Sequence, residues 1–502
     1  MMVRQHPPPV HEWGHVMSSA GSAGPFGVFT REPLSEGDLD AIHAQAMRIL
    51  ENIGTEVHSD TMLKMLEEAG QRVEGTRVRW DAGFVMEQLA KAPAQITLQG
   101  RDPRYAVTIG GGSLVHTPTG GSPFVSDAER GRRDGDLAAF VELVKMAHAS
   151  DVLPVMQSGT TEAQDLSDLS RHMEMDYAVL RWSARPYILY GASGPRTRDG
   201  LQIAAIAAGG EDALRRQPGV IGVVNPNSPL VWDTLMVEEL MALAEFGQPV
   251  AITPFLMAGA SAPVTLAGGL SILVAETLSG VAMAQLVRPG APCILGTFLN
   301  GLDMRSGGPS LGLPEGVLAT LAGAQLARRY GLPLRGGGGL CSGLDLDMQT
   351  AAETVMSLWA TYLAECDLVM HAAGWIEGGL TASYEKLAFD VDVLKMFERV
   401  RRGISVDDEQ LAYDVIERQG PGGLYLADEH TLEHFRTESF MSPMFRAQAY
   451  PTWVKMGSPS VASVATDAWK RLLDEYEDPG IDDALDAELR AFIDRRSQEL
   501  EA

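Results

Sequence analysis

Four consecutive glycines, Gly336–Gly339, follow a short apolar run in the segment "YGLPLRGGGGLCSGLDL", which starts at Tyr330. Residues without side chains bury no apolar surface and cost conformational entropy on folding, so this run needs a reason. Three are open: a phosphate cradle, a tight structural turn, or a floor for a large flat ligand. A phosphate cradle is disfavoured, because no Gly-Lys pair follows the run and Cys341 occupies the place of the third glycine of a dinucleotide fingerprint. A turn accounts for two glycines better than for four.

Other short apolar runs are followed by aromatic, amide, hydroxyl and glycine residues, and only rarely by charged ones. In chain order, these candidates are Thr119, Gly120, Gln157, Tyr190, Asn225, Phe255, Phe298 and His371, with Trp375 and Glu377 just beyond. Such a set is poorly suited to hydrolysis by paired carboxylates. It suits an organic cation held against ring faces, although each aromatic taken singly is also compatible with ordinary core packing.

Metal-assisted and serine-based chemistry are both disfavoured by spacing. His371 and Cys341 follow neighbouring apolar runs, but the sequence has no C-x-x-C or H-x-x-x-H pair and no G-x-S-x-G elbow. A catalytic zinc needs three protein ligands, and a nucleophilic serine of the hydrolase type needs the elbow. We therefore expect no metal bound directly by the chain.

The apolar runs that precede these residues predict the fold. Eight of them begin at Leu114, Val155, Tyr187, Val220, Val250, Cys293, Pro333 and Leu368. They recur about every 30 to 40 residues with helical patterns between them, which is typical of parallel βαβ units. Eight such units predict an α/β protein with a (β/α)8 TIM barrel, whose C-terminal strand ends carry the chemistry. An open doubly wound sheet is the alternative that periodicity leaves open.

The rest of the chain divides around this barrel. Residues 1–30 are expected to form an irregular arm, because they contain a proline run and a Gly/Ser-rich stretch. Residues 31–110 predict a helix-strand extension, which opens with a helix that Ser35 can cap. The barrel is assigned to residues 111–390, and residues 391–502 predict an acidic helical region.

Composition limits the partners and the compartment. The net charge of −26 disfavours nucleic acid and anionic membranes. Three cysteines are too few for a disulfide framework, and the first residues lack the apolar core of a signal peptide, so a cytoplasmic location is expected. The longest apolar segment, residues 264–287, contains Glu276, which favours a buried helix over a membrane span.

Several long segments resemble the trimethylamine methyltransferase family. They are "LDAIHAQAMRILENIGTEV" from Leu39, "TPTGGSPFVSD" from Thr117, "GASAPVTLAGGLSILVAETLSG" from Gly259, "GLDMRSGGPSLGLPEGVLATLAGAQLARRYGLPLRGGGGL" from Gly301 and "HAAGWIEGGLTASYEKL" from His371. The likeness runs from about residue 34 to about residue 453, in the same order along the chain. It implies a (β/α)8 barrel that passes a methyl group from a methylated amine to the reduced cobalt of a separate corrinoid (cobalamin) protein.

The sequence contains only standard residues and reads "LCSGLDLDM" after Gly339, so it resembles the branch without pyrrolysine, which acts on quaternary amines such as glycine betaine. The resemblance implies a role for each candidate. Tyr190, Phe255, Phe298 and Trp375 would cage the cation, and Trp232 is a weaker cage candidate. Asn225 and Gln157 would add polar contacts. His371 and Glu377 are the catalytic candidates: His371 could donate a hydrogen bond to a substrate carboxylate, and Glu377 could balance the ammonium charge or fix a loop. Arg305 could pair with a substrate carboxylate or with a corrinoid side chain, or it could form a salt bridge within its own loop.

The resemblance also offers a reason for residues without side chains. Cobalt must come within about 3 to 3.5 Å of the methyl group, and side chains at the barrel mouth would hold the corrinoid away. Gly336, Gly337, Gly338 and Gly339, with Thr119 and Gly120, would then face the corrinoid, against the alternative of a structural turn. Two other functions stay open: a non-catalytic protein that binds quaternary amines, and a methyltransferase with a non-corrinoid acceptor. A homo-oligomer is expected from the amphipathic helices at both ends of the chain.

Overall fold

The computed structural model describes residues 30–191 and 193–502, and the predicted arm lies outside the described residues except for its last position. Eight parallel strands follow one another around a barrel. They are β1 Val115–Pro118, β2 Met156–Gln157, β3 Tyr187–Ile188, β4 Val220–Val224, β5 Val250–Ile252, β6 Cys293–Gly296, β7 Leu334–Gly337 and β8 Leu368–Ala373. Each apolar run identified in the sequence contains one of them. β8 pairs with β1, and the Val155 N–H donates to the His116 carbonyl at 3.4 Å between β1 and β2. The predicted barrel is therefore confirmed, and the open sheet is not adopted.

One helix follows each strand. These are α1 Leu137–Ala149, α2 Arg171–Trp182, α3 Gly194–Ala208, α4 Thr234–Glu245, α5 Leu266–Val287, α6 Pro314–Tyr330, α7 Met348–Leu363 and α8 Tyr384–Arg401. Apolar side chains from most of the strands pack together inside the barrel and form a plug. They include Val115, Ile188, Ile221 and Ile294. The plug closes the interior, so any site must lie above it, at the C-terminal strand ends.

Short strands build walls around that end of the barrel. Phe255–Met257, Phe298–Leu302 and Pro309–Ser310 form one small sheet. Trp375–Ile376, Thr381–Ser383, Phe124–Asp127 and Gly131–Asp134 form another. Because these sheets are hydrogen-bonded, the loops that carry the aromatic candidates are held in fixed positions.

The N-terminal extension lies along the outside of the barrel. Its helices are Glu36–Arg48, Asp60–Glu68 and Ala82–Leu89, with a π-helical turn at Ile49–Ile53 and a 3-10 turn at Pro103–Tyr105. A further short helix, Glu211–Arg216, belongs to the barrel and follows α3. Its strands are Thr55–Val57, Arg72–Glu74, Arg77–Arg79, Ile96–Leu98 and Val107–Ile109, and Val231–Trp232 from the barrel joins the first of them. Ser35 caps the first helix and forms a capping box with Asp38, as its sequence predicts.

The apolar segment around Glu276 forms α5, which is buried among other helices. α5 is the described helix long and apolar enough to cross a bilayer, yet 83% of its most apolar window is buried inside the fold. The Glu276 carboxylate accepts hydrogen bonds from the Ser228 hydroxyl at 2.7 Å and the Leu230 N–H at 2.6 Å. Burial raises the pKa of Glu276 to about 7. The carboxylate thus fixes the loop after β4 against α5.

The chain after α8 is helical. It contains Asp408–Leu411, Tyr413–Gln419, Glu429–Glu438, Tyr450–Lys455, Val461–Asp474 and Asp483–Glu501, with a 3-10 turn at Tyr425–Ala427. Val461–Asp474 packs on α8 and α1, and the Trp469 indole donates to Glu385 at 2.9 Å. Asp483–Glu501 packs on α2 and α3 through ion pairs of Arg490 with Glu174 and of Arg496 with Asp199. These two helices therefore cover the side of the barrel formed by α8, α1, α2 and α3.

Candidate active site

A cavity of about 470 Å3 opens at the C-terminal ends of the strands. Eight of the candidates chosen from the sequence line it: Gly120, Gln157, Tyr190, Asn225, Phe255, Phe298, His371 and Trp375. They come from seven of the eight strand ends, which only a closed barrel brings together. The fold therefore places the aromatic, amide and imidazole candidates around one space.

Aromatic rings form much of the wall. Phe255 and Phe298 stack with ring centroids 4.5 Å apart, because their two strands pair in parallel with these residues in register. Trp375 lies edge-on to the His371 ring at 4.3 Å. Across the cavity, the Tyr190 hydroxyl donates to Glu162 at 2.7 Å. Ring faces with a negative quadrupole, and a carboxylate behind one of them, favour a cation in this space.

His371 is held as a neutral donor. Its Nδ1 accepts the Gly120 N–H at 3.2 Å, so Nδ1 carries no proton and the neutral ring is protonated on Nε2. Burial, and then the nearby Arg335 charge, hold the pKa of His371 well below its usual range. His371 also has a positive φ of 57°, at the β8 irregularity where pairing with β1 shifts register. The ring is thus positioned to donate one hydrogen bond into the cavity.

Three charged residues that line the cavity are absent from the sequence-based candidates: Arg335, Glu239 and Glu162. Arg335 is the second residue of β7, 2% exposed, and its guanidinium lies 5.7 Å from the Phe298 ring centroid. Burial lowers its pKa to about 10, which leaves it charged at neutral pH. Glu239, on α4, is 1% exposed, and an atom built as a Cβ on Gly191 would meet its carboxylate. The sequence carried a signal for Arg335, which is a charge inside the short apolar run of β7.

A buried acid under the cavity gives a pH prediction. Asp176 on α2 accepts the Tyr190 N–H at 3.1 Å, and burial raises its pKa to about 7. A carboxyl whose pKa is higher in the folded than in the unfolded state stabilises the fold when protonated, so its contribution is lost as pH rises from about 4 to about 7. We expect Asp176→Asn, which stays neutral, to flatten the dependence of the thermal midpoint on pH across this window. Unchanged pH dependence in the variant would contradict this assignment.

The glycine run is not the exposed floor that the sequence suggested. Gly336–Gly339 are all buried, and none lines the cavity. A Cβ on Gly336 would meet Cys366 Sγ at 2.5 Å, and one on Gly338 would meet the Ala372 backbone at 2.3 Å. The side chains are missing because α7 and β8 pack directly against this backbone. The predicted contact of these four glycines with a corrinoid is therefore corrected to a packing role.

Other candidates also lie outside the cavity. Glu377 accepts two hydrogen bonds from Arg132, at 2.7 and 3.1 Å, and one from Thr381 at 2.6 Å. These contacts agree with the loop-fixing alternative for Glu377, and its catalytic role stays a prediction. Thr119 is buried, with its methyl group against Gly374, and does not reach the cavity. Arg305 is 91% exposed and pairs with Asp303 in its own loop.

Trp232 and Cys341 have structural partners instead of a ligand. The Trp232 indole is fully buried and donates to Ser279 at 3.1 Å. The Cys341 thiol donates to the Trp375 carbonyl at 2.9 Å, and burial raises its pKa to about 12. Cys341 is thus a neutral thiol that holds the Trp375 backbone, and the weaker cage prediction for Trp232 is wrong.

Bare backbone does occur at the cavity, at positions other than the predicted run. Gly120, Gly121, Gly159 and Gly191 line it. Gly121 is exposed, and a Cβ there would meet no atom of the described residues within 4 Å. A side chain at this position of the rim next to β1 would therefore point into open space.

Comparison with known proteins agrees with this geometry. Residues 26–501 match the profile of the trimethylamine methyltransferase (MTTB) family. The chain is 37% identical over 467 residues to glycine betaine methyltransferase of Desulfitobacterium hafniense (strain Y51), covering 93% of this chain and 97% of that protein. It is 29% identical over 434 residues to proline betaine:corrinoid methyltransferase of Eubacterium limosum, covering 83% and 87%.

The fold has a counterpart among solved structures. The monomethylamine methyltransferase MtmB of Methanosarcina barkeri superposes with a TM-score of 0.50 over 88% of this chain and 94% of that one, at 13% identity. The barrel is thus shared with a protein of very different sequence. Together with the profile match over nearly the whole length, this confirms the predicted resemblance: the chain belongs to the trimethylamine methyltransferase family.

Proposed function

We propose that the protein transfers a methyl group from a quaternary amine of the betaine class to the cobalt of a corrinoid carried by a separate protein. The observation that carries this proposal is the aromatic wall of Phe255, Phe298, Trp375 and Tyr190 around a cavity open at the barrel mouth. The names of the two relatives above, which specify glycine betaine and proline betaine, support the same substrate class.

The chemistry of a quaternary ammonium fits the groups present. Its leaving group is a neutral amine, so transfer needs no proton donor, and the neutral His371 is consistent with that. A reduced corrinoid supplies a cobalt nucleophile of high reactivity. The chain's own tasks are to bind the cation, to aim one methyl group at the mouth and to exclude water from the walls. The rim at Gly121, where an added Cβ would meet no described atom within 4 Å, offers space for a flat macrocycle to approach.

The cavity gives each residue a distinct task in this proposal. The stacked Phe255 and Phe298 form one face of the cation site, and Tyr190, with Glu162 behind its hydroxyl, forms another. Trp375 and His371 lie together at the end of β8. We further propose a cytoplasmic location, which suits three cysteines that are all free and buried.

Loss of one ring should weaken cation binding measurably. Ring faces contribute about 0.5 to 2 kcal/mol each, so we expect Phe298→Leu to raise KM for the amine by roughly 2- to 30-fold. Leucine keeps apolar volume, which limits the effect on folding. Phe435→Leu, in the exposed helix Glu429–Glu438, is the matched control and should leave KM unchanged. Equal KM values for both variants would contradict the cage.

The decisive test is a screen of methylated amines with Co(I) cobalamin, in which formation of methylcobalamin is followed by its absorbance. We expect transfer from quaternary amines that carry a carboxylate, and little from trimethylamine. Tight binding of such amines without any methyl loss would instead indicate a binding protein. Transfer that proceeds equally without cobalt would indicate a different acceptor.

A further inference from the structure

The cavity contains a buried positive side chain, Arg335. Its guanidinium donates to the Thr297 carbonyl at 3.3 Å, and its Nε has no hydrogen-bond partner in the part of the chain that the structure describes. Among the described residues, no carboxylate forms an ion pair with this guanidinium, although the side chain is 2% exposed. A buried charge without a counterion is costly, and five N–H donors in a planar fork suit a carboxylate.

Negative groups lie on the opposite side of the same cavity. In the barrel order, β3 and β7 are separated by three strands in either direction, so they face each other across the axis. Glu239 packs against Gly191, just after β3, and Glu162 accepts the Tyr190 hydroxyl. The lining is thus polarised, with acidic groups on the β3 side and Arg335 on the β7 side.

Arg335 and the aromatic rings also differ in how deep they lie in the cavity. Arg335 is in register with Leu368 of β8, whereas His371 lies three residues farther along, or about 10 Å of strand. The backbone of Arg335 therefore lies near the floor of the cavity. Phe255 and Trp375 belong to short strands above the barrel, closer to its mouth. A methyl group destined for an acceptor on another protein must lie at the mouth, which leaves the floor to the other end of the substrate.

We infer that Arg335 binds the carboxylate of the substrate, so that a zwitterionic quaternary amine lies with its carboxylate inward and its methyl groups toward the barrel mouth. This inference rests on the proposed function and adds to it the residue that selects carboxylate-bearing amines.

Binding measured by calorimetry, without any corrinoid, tests the inference separately from methyl transfer. The ligands are glycine betaine and tetramethylammonium, which carries the cation but no carboxylate. We expect Arg335→Met to weaken glycine betaine binding by about 100-fold or more and to leave tetramethylammonium binding unchanged. Arg305→Met, at an exposed arginine of the same barrel face outside the cavity, should leave both affinities unchanged. Equal losses for both ligands, or no loss, in a folded Arg335→Met protein would overturn the inference.

A change made on the ligand keeps the inference testable if Arg335→Met does not fold. The wild-type protein should bind the methyl ester of glycine betaine at least about 100-fold more weakly than the free carboxylate, and Arg335→Lys should retain part of the preference. Equal binding of ester and acid would overturn the inference. Selective binding of the acid without transfer to Co(I) cobalamin would sustain the role of Arg335 and refute the proposed function; no binding of either ligand would refute both.

Discussion

Replacing Lys386 by methionine is expected to destabilise the fold by about 3 to 5 kcal/mol at pH 8. Lys386 and Asp390 are both fully buried on α8, with the ammonium 2.6 and 2.5 Å from the two carboxylate oxygens. Methionine fills similar space but leaves Asp390 without its cation. Desolvation already raises the pKa of Asp390 to about 6, against the opposing effect of Lys386. Denaturant-induced unfolding would measure the loss.

The pH dependence of this loss identifies its cause. Without Lys386 the folded-state pKa of Asp390 rises further, so the variant loses stability as pH increases from about 4 toward that higher value. The deficit should therefore be smaller at pH 5 than at pH 8. Lys395→Met is the matched control, because Lys395 lies on the same helix in an exposed pair with Asp151, and should cost less than about 1 kcal/mol. Similar losses for both variants would show that the buried pair has no special weight.

The pair also connects α8 to the end of the barrel that carries the site. The Asp390 carboxylate accepts the Gly374 N–H at 2.9 Å, and the Lys386 ammonium lies 3.4 Å from the Gly339 carbonyl. Gly374 lies between His371 and Trp375 in the chain. A destabilised variant that remains folded at pH 5 is therefore expected to bind the amine less tightly as well.

Gly338→Ala is expected to cost about 3 kcal/mol of folding free energy. A Cβ at this position would lie 2.3 Å from the Cα and 2.7 Å from the N of Ala372 in β8. Both contacts are with backbone, so β7 and β8 must separate and the hydrogen bond from the Gly338 N–H to the Met370 carbonyl, 2.8 Å long, is strained. Thermal and denaturant unfolding would both report the change.

Gly308→Ala is the control for this substitution. Gly308 lies in an exposed loop of the same barrel face, and the nearest atom to its added Cβ is a hydroxyl at 3.5 Å. We expect its stability to change by less than about 0.5 kcal/mol. A Gly338→Ala protein as stable as wild type, yet defective only in transfer to cobalt, would restore the idea of an exposed glycine floor.

The barrel could be predicted because its signal is repeated. Eight short apolar runs at regular spacing each became a strand, and a parallel arrangement follows once helices separate them. The ring of cavity residues followed from the same rule, because the C-terminal ends of all strands meet at one end. Phe255 and Phe298, which are 43 positions apart in the numbering, stack at 4.5 Å for this reason.

Residues whose roles depend on side-chain direction were predicted less well. Arg335 lies inside β7 instead of after it, so counting strand ends passes over it; only the inward register of a strand reveals such a residue. Glu377 follows β8 at the right place, but the partner that removes it from the cavity, Arg132, comes from a strand 245 positions earlier. Composition carries no information on that pairing.

The glycine run shows a different limit. A sequence records that side chains are absent, but the space beside such a backbone can be solvent or neighbouring chain. At Gly336 and Gly338 the neighbours are Cys366 and Ala372, which belong to elements that the sequence predicts without their distances. Because β7 packs against β8 and α7, the space beside these glycines is filled by the protein itself.

The burial of α5 has a consequence for how much of the chain is needed. Its outer side is covered by the first helix of the N-terminal extension, Glu36–Arg48, and by Ala82–Leu89. A shortened protein that keeps only the barrel would expose one side of this 22-residue apolar helix to water, and an exposed apolar surface of this kind favours aggregation. The extension therefore belongs to the smallest unit that can be purified in soluble form, and expression trials that begin at the first barrel strand are expected to yield inclusion bodies.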